Sequence, residues 1–211
     1  MQAPLEVGPI GRDELPAAVD IFLNAFYENV RLVYGDQPKP DAMLDVWSFA
    51  QEVEPQGFLA ARQHGRVLGY ALFTRSVKGM QRRALLRARP LVWGLRALSG
   101  RYGVRWGQLA RLMWNKVLFV GASGRYRTTG DAQLLNIAVH PDARGRGVAK
   151  KLVNAGLGYL KEAGAEEVRL EVRPENAPAL AAYRDTGFIE RGRTRDIHGE
   201  WLVMTADLRS A

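Results

Sequence analysis

The sequence predicts an α/β sandwich built on a mixed sheet, and three observations predict it. Strand-like runs rich in alternating or β-branched residues exchange with amphipathic, helix-length segments along most of the chain. Gly and Pro punctuate the junctions between them. The most strand-like stretch, residues 134–139, runs through Pro141 into the turn Arg144-Gly145-Arg146-Gly147 and then into a helix.

In chain order, residues 5–9 read as a first strand. Residues 13–25 form a helix, with Leu15, Val19, Phe22 and Leu23 on one face and Asp13 as its cap. Pro38 and Pro40 interrupt the chain before a second helix over 41–52. Segments 57–62 and 67–75 make a hairpin around Gln63-His64-Gly65-Arg66. A helix over 79–88, ended by Pro90, opens a basic stretch in which Gly94, Gly100, Gly103 and Gly107 predict short helices rather than one rod. Within that stretch Trp106, Leu109, Ala110, Met113, Val117 and Val120 share one helical face. Strands over 131–139 and 167–172 then alternate with helices over 148–163 and 177–185. Two closing strands, 188–195 and 200–208, meet at a tip formed by His198 and Gly199.

At 211 residues the chain suits a single domain with a sizeable core. Its 47% hydrophobic and 25% charged residues are ordinary for a globular protein. Absence of cysteine excludes disulfides, thiolate metal sites and a Cys nucleophile. His64, His140 and His198 lie scattered in turns without ligand spacing, so no metal site is expected. The first residues lack the basic and apolar regions of a signal peptide, and no apolar run reaches the roughly 20 residues of a membrane span. A cytoplasmic protein is the expectation.

Charge is distributed unevenly. Thirteen of the thirty basic residues, and none of the 22 acidic ones, fall between Arg75 and Gly130, although the whole chain carries a net charge of +8. The basic, mainly helical segment 76–130 is therefore an electrostatic object distinct from a mildly acidic body.

The turn after residue 139 carries the chemistry. Gly145 and Gly147 permit positive φ and a close approach of ligand to main chain. Consecutive N–H groups there, followed by a helix N-terminus, favour a phosphate or pyrophosphate, with Arg144 and Arg146 at the rim. A P-loop is excluded because no Gly-Lys-Ser/Thr closes the turn, and the dinucleotide fingerprint fails because Lys150 stands where its third glycine belongs.

What the segment 144–149 resembles is the pyrophosphate loop of the GNAT N-acetyltransferase superfamily, Gln/Arg-x-x-Gly-x-Gly/Ala, matched by Arg144, Gly147 and Ala149. A second motif of that superfamily, Asn-x-x-Ala-x-x-x-Tyr-x-x-x-Gly-Phe, is matched at every fixed position by Asn176, Ala179, Tyr183, Gly187 and Phe188. The resemblance implies a mostly antiparallel sheet flanked by helices, with the basic segment inserted between the third and fourth strands. It implies acetyl-CoA as co-substrate, its pantetheine arm lying between the strands that end at Val139 and Val172. Main-chain groups around Ile137, Ala138 and Val139 would pair with the arm, while Arg144, Gly145, Arg146, Gly147, Val148 and Ala149 would hold the pyrophosphate. Asn176 matches a position that binds the arm or a water.

The implied reaction is direct attack of a neutral amine on the thioester, driven chiefly by positioning. Tyr183 matches the position whose hydroxyl protonates the departing thiolate. A carboxylate must take the amine's proton: Asp131, at the start of its strand, is the first candidate, with Glu171 and Glu28 beside it, and Asn136 as a further polar strand position. The acceptor is expected to be the primary amine of a small molecule or peptide. The basic segment can serve as a packed insertion, a homodimer face, a cap over an acidic substrate or a dock for an anionic membrane. No nucleic-acid reading motif is present. The alternative in a different class is a non-catalytic CoA- or anion-binding module that works through its basic surface.

Overall fold

Among the described residues seven strands form one sheet: β1 (Glu6–Pro9), β2 (Phe58–Gln63), β3 (Arg66–Thr74), β4 (Gln133–Val139), β5 (Glu167–Val172), β6 (Ile189–Asp196) and β7 (Gly199–Asp207). They come from a computed structural model that describes residues 4–35, 38–103, 107, 130–196 and 199–209. Their order across the sheet is β1-β2-β3-β4-β5-β7-β6, and every neighbouring pair is antiparallel except β4 with β5. The sheet is thus mixed and mostly antiparallel, as the fold class requires.

Helices cover both faces. On one side α6 (Val148–Glu162) and α7 (Ala177–Arg184) bury Val148, Leu152, Val153, Leu160, Leu180 and Tyr183 against Leu134, Val168, Leu170, Val172, Leu202 and Met204. Each fully buried aliphatic side chain of this kind contributes about 1.5–3 kcal/mol relative to exposure. On the other side α1 (Leu15–Ala25) and α3 (Asp41–Val53) set Leu15, Val19, Ile21, Trp47 and Ala50 on Phe58, Ala60, Tyr70 and Leu72. Trp47 centres that cluster, 4.6 Å from the Tyr70 ring and 5.6 Å from Phe58.

Local chemistry explains the boundaries. Gly11 replaces Asp13 as the entry to the first helix: its N–H donates to Glu14 Oε2 (2.7 Å), and a single 3-10 turn over Arg12–Glu14 precedes α1. Arg62 clamps the same Glu14 from the sheet and also donates to Pro9 O at 2.7 Å.

Helix α2 (Tyr27–Tyr34) follows α1 after Phe26; at eight residues it is too short for its periodicity to stand out in the sequence. Between β3 and β4 lie α4 (Val77–Leu86) and α5 (Arg89–Leu98). The first helix of this segment stops before Pro90, since Ala88 turns left-handed (φ 50°) and Pro90 then serves in the first turn of α5. The amphipathic reading of residues 105–120 and the His198 tip lie outside the described residues.

Candidate active site

The one parallel pair in the sheet opens into a fork. β4 and β5 pair only at Gln133 with Arg169, supported by Arg169 N–H donating to Ala132 O at 3.1 Å. Immediately beyond, the register between β3 and β4 slips: Phe73 faces Leu134, Leu72 faces Asn136, and Leu135 is the extra residue of a β-bulge. A bulge bends and twists its strand, and here it accompanies the departure of β4 from β5.

The direction of the freed groups follows from hydrogen-bond alternation. His140 N–H donates to Leu68 O at 2.8 Å, so Tyr70–Ala138 and Leu72–Asn136 are also the hydrogen-bonded pairs of the antiparallel ladder. Ile137 and Val139 therefore aim their N–H and C=O groups away from β3, across the fork. Ala138 is turned the other way, toward Tyr70.

The glycine turn closes the wide end of the fork. After Val139 a 3-10 turn over Pro141–Ala143 buries Ala143 and leads into Gly145 (φ 72°) and Gly147 (φ 73°), both in the left-handed region that glycine favours. A Cβ built on either glycine meets nothing within 4 Å, so the space above the main chain is open. Gly147 is the N-cap of α6 and brings no side chain to it, leaving the N–H groups of Val148, Ala149 and Lys150 without an intrahelical partner. Arg146 is tethered to the β2–β3 hairpin by its Nη2–H donating to Gln63 Oε1 at 2.6 Å. Arg144 is exposed at the rim. The glycine turn and the start of α6 are therefore contiguous, with open space above both glycines.

Tyr183 lies on α7, the helix that follows β5. Asn176 caps α7, its Oδ1 accepting from Ala179 N–H at 3.2 Å, and Gly187 (φ 90°) ends the helix so that Phe188 enters the core. Tyr183 is 6% exposed and packs 5.8 Å from the Phe188 ring. Its hydroxyl makes no hydrogen bond among the described residues, and burial raises its pKa to about 12. Asn176 itself is exposed, with its side-chain oxygen already engaged.

The three candidate bases occupy unlike places. Asp131 lies on the closed side of the fork, where Oδ2 accepts from Ser76 Oγ (2.9 Å) and from Lys78 N–H (2.6 Å) and so holds the first turn of α4. Leu135, at the bulge, is four strand residues farther along, about 13 Å at strand rise. Glu28 is exposed and ion-paired with Arg31 at 3.0 Å. Glu171 stands on β5 two residues past the pairing point, level with the bulge. Val168, Leu170 and Val172 point into the α6–α7 core, so Arg169 and Glu171 point to the opposite face, ion-paired to each other and each under 15% exposed.

Periodicity missed one polar element. Tyr70, wholly buried under Trp47, donates from its hydroxyl to Asn136 Oδ1 at 2.5 Å, and burial pushes its pKa well above the usual tyrosine value. In the sequence Tyr70 sits within an apolar strand and reads as core; only the cross-strand register reveals its partner. Among the described residues no group of three His, Asp or Glu side chains converges as a metal site. Nor is any described helix long and apolar enough to cross a membrane.

A sheet forked at its one parallel pair, with a glycine turn at the mouth of the fork, is the architecture of the acetyltransferase (GNAT) family. The chain belongs to that family, whose sequence profile matches residues 18–188. Over 82 residues it is 38% identical to a mycothiol acetyltransferase of Saccharomonospora viridis, covering 39% of this chain and 26% of that one. Over 92 residues it is 37% identical to the N-alpha-acetyltransferase MAK3 of Arabidopsis thaliana, covering 42% of this chain and 48% of that one. The matched stretches thus span between about a quarter and a half of these curated relatives. Whole-chain fold likeness extends to the crystal structure of SsHAT (TM-score 0.71, 23% identity, 98% of this chain and 99% of that one). It extends also to yncA of Salmonella typhimurium, a putative acetyltransferase solved with acetyl-CoA (TM-score 0.59, 14% identity, 98% and 95%).

Proposed function

We propose that the protein is an N-acetyltransferase that moves the acetyl group of acetyl-CoA to a primary amine of a small molecule or peptide by direct attack. The observation that carries this reading is the fork, whose unpaired main-chain groups at Ile137 and Val139 lead straight into the open glycine turn. A ligand with amides along its arm and a pyrophosphate at its end fits those two features in that order.

Ile137 and Val139 would pair with the arm as an added strand. The N–H groups of Gly145, Gly147, Val148 and Ala149, at the positive end of α6, would hold the pyrophosphate, with Arg144 and Arg146 adding charge. When bound, acetyl-CoA supplies an acyl carbon activated as a thioester. The chain's own contribution is orientation, worth on the order of 7–11 kcal/mol when two reactants are held in line, and proton management.

Tyr183 carries its proton at neutral pH, burial raising its pKa further to about 12, and a hydroxyl without a partner among the described residues is available to the departing sulfur. For the amine's proton we infer Glu171 rather than Asp131. Glu171 is level with the bulge and faces away from the α6–α7 core, whereas Asp131 is engaged with the end of α4 behind the point where the strands meet. The relatives' names, a mycothiol acetyltransferase and an N-alpha-acetyltransferase, accord with an amine acceptor of either size.

The test is release of free CoA thiol across a panel of small amines and peptides. Turnover on at least one acceptor, falling about a hundredfold in Tyr183→Phe, is the expected result. Gly147→Glu should abolish CoA binding by calorimetry, while Gly147→Ala, which shares the backbone strain without the charge, binds measurably. Tight CoA binding with no turnover on any amine would return the protein to a non-catalytic module.

A further inference from the structure

The outer face of the α4–α5 pair carries a surface that acetyl transfer does not use. Leu85 and Leu86 end α4, and Leu91, Leu95 and Leu98 repeat at helical spacing along α5; all five side chains are between 57% and 75% exposed. The face is not that of a loosely attached helix, because the inner side is fastened to α3. Trp93 meets the Phe49 ring edge-on at 5.7 Å, and Arg89 lies over the same ring. Arg87 and Arg89 pair with Glu52, Arg96 with Asp45, and Arg101 with Asp41. The leucines are thus held outward by contacts made on their back.

The segment keeps a positive excess after its ion pairs are counted. Residues 75–103 hold eight basic side chains and no acid. The acidic residues they pair with are four: Asp41, Asp45, Glu52 and Glu54. Lys78 and Arg82, both exposed on α4 ahead of Leu85 and Leu86, have no acidic partner among the described residues. A contiguous set of large exposed aliphatics marks an interaction surface, and its chemistry narrows the partner. Nucleic acid would satisfy the charge and leave the leucines in water. A second copy related by a twofold axis would cover the leucines and set cations against cations. A surface that takes both is a bilayer with anionic headgroups, where aliphatics enter the acyl boundary and Lys and Arg lie at phosphate level.

We propose that the α4–α5 pair docks this protein on an anionic lipid bilayer. The pair stands at the Asp131 end of β4, and the glycine turn follows Val139 at the other end, eight residues and about 26 Å away at strand rise. Docking therefore leaves the mouth of the fork open, and the proposal is independent of the reaction assigned to it.

The experiment is co-sedimentation of the full chain with vesicles of phosphatidylcholine alone and of phosphatidylcholine mixed with phosphatidylglycerol. Wild type should bind the mixed vesicles and prefer them to the neutral ones. The double variant Leu91→Gln/Leu95→Gln should lower partitioning about tenfold or more, and Lys78→Glu/Arg82→Glu should remove the preference for the anionic lipid. Both variants should melt with wild type, since the changed side chains are exposed. No binding to the mixed vesicles overturns the proposal, as does binding that survives the leucine changes or is equal on neutral vesicles. Self-association in sedimentation velocity that disappears in the leucine variant also overturns it, because a second copy would then be the occupant.

Discussion

Glu171 and Asp131 are held by different partners, Glu171 by its ion pair with Arg169 and Asp131 by the start of α4. Asp131 lies just ahead of β4 and Glu171 near the end of β5, and the sequence alone puts Asp131 first. Asp131 accepts two hydrogen bonds from the first turn of α4, as a capping group does. Asp131→Ala should therefore cost about 1 kcal/mol of stability, read by chemical denaturation, and leave turnover almost intact. Glu171→Gln should act in the opposite sense. With no base, the rate depends on the fraction of amine already neutral in solution, so kcat/KM should climb about tenfold per pH unit toward the acceptor's own pKa. Wild type should show a flatter profile over the same range. A flat profile in Glu171→Gln would exclude it as the proton acceptor. Tyr183, Asn176 and the two glycines were legible as motif positions because backbone conformation and capping constrain them. The Tyr70–Asn136 bond was not, because it depends on cross-strand register and no local pattern encodes that.

Helix α6 shows the same distinction for an element. Its amphipathic face and its start at the glycine turn follow from sequence, and the observed span Val148–Glu162 differs from the expected one by a single residue. How closely it approaches the sheet does not follow. Gly156 lies against Phe73, and a Cβ there would stand 2.0 Å from the ring, whereas a Cβ on Gly158 in the same helix meets nothing within 4 Å. Gly156→Ala should cost about 1–3 kcal/mol through overpacking. Gly158→Ala should gain about 0.5–1 kcal/mol from helix propensity alone. Equal effects in the two variants, measured by urea unfolding, would contradict the packing described here. α2 escaped sequence reading for a different reason: its eight residues give little more than two turns, and only Phe26 separates it from α1.

At the scale of the whole molecule, buried tyrosines set an alkaline limit. Burial is the leading cause of the raised pKa of Tyr34, Tyr70, Tyr102, Tyr159 and Tyr183, with Tyr102 and Tyr183 each reaching about 12 from an ordinary 10.0. Unfolded tyrosines ionise near 10, so the folded state holds more protons between pH 10 and 12. The stabilisation they confer is complete below pH 10 and lost as pH rises toward 12. The melting temperature should accordingly fall over that interval, and tyrosinate absorbance should appear together with unfolding rather than ahead of it. Ionisation of the folded protein well below the unfolding transition would contradict the burial seen here. The order of elements was legible over most of the chain because alternating strands and amphipathic helices leave clear periods. The β1-β2-β3-β4-β5-β7-β6 arrangement was not, since strand order is a property of long-range pairing.

The fork gives the protein a built-in reporter. The amides of Ile137 and Val139 face away from the ladder to β3, so they should exchange with deuterium freely when the cleft is empty, unlike those of Ala138 and Asn136 on the same strand. Any molecule that lies along β4 as an extra strand would slow just those two, with Ala138 between them. Alternate-residue protection, followed by mass spectrometry or NMR, would then rank candidate ligands before a single product has been identified.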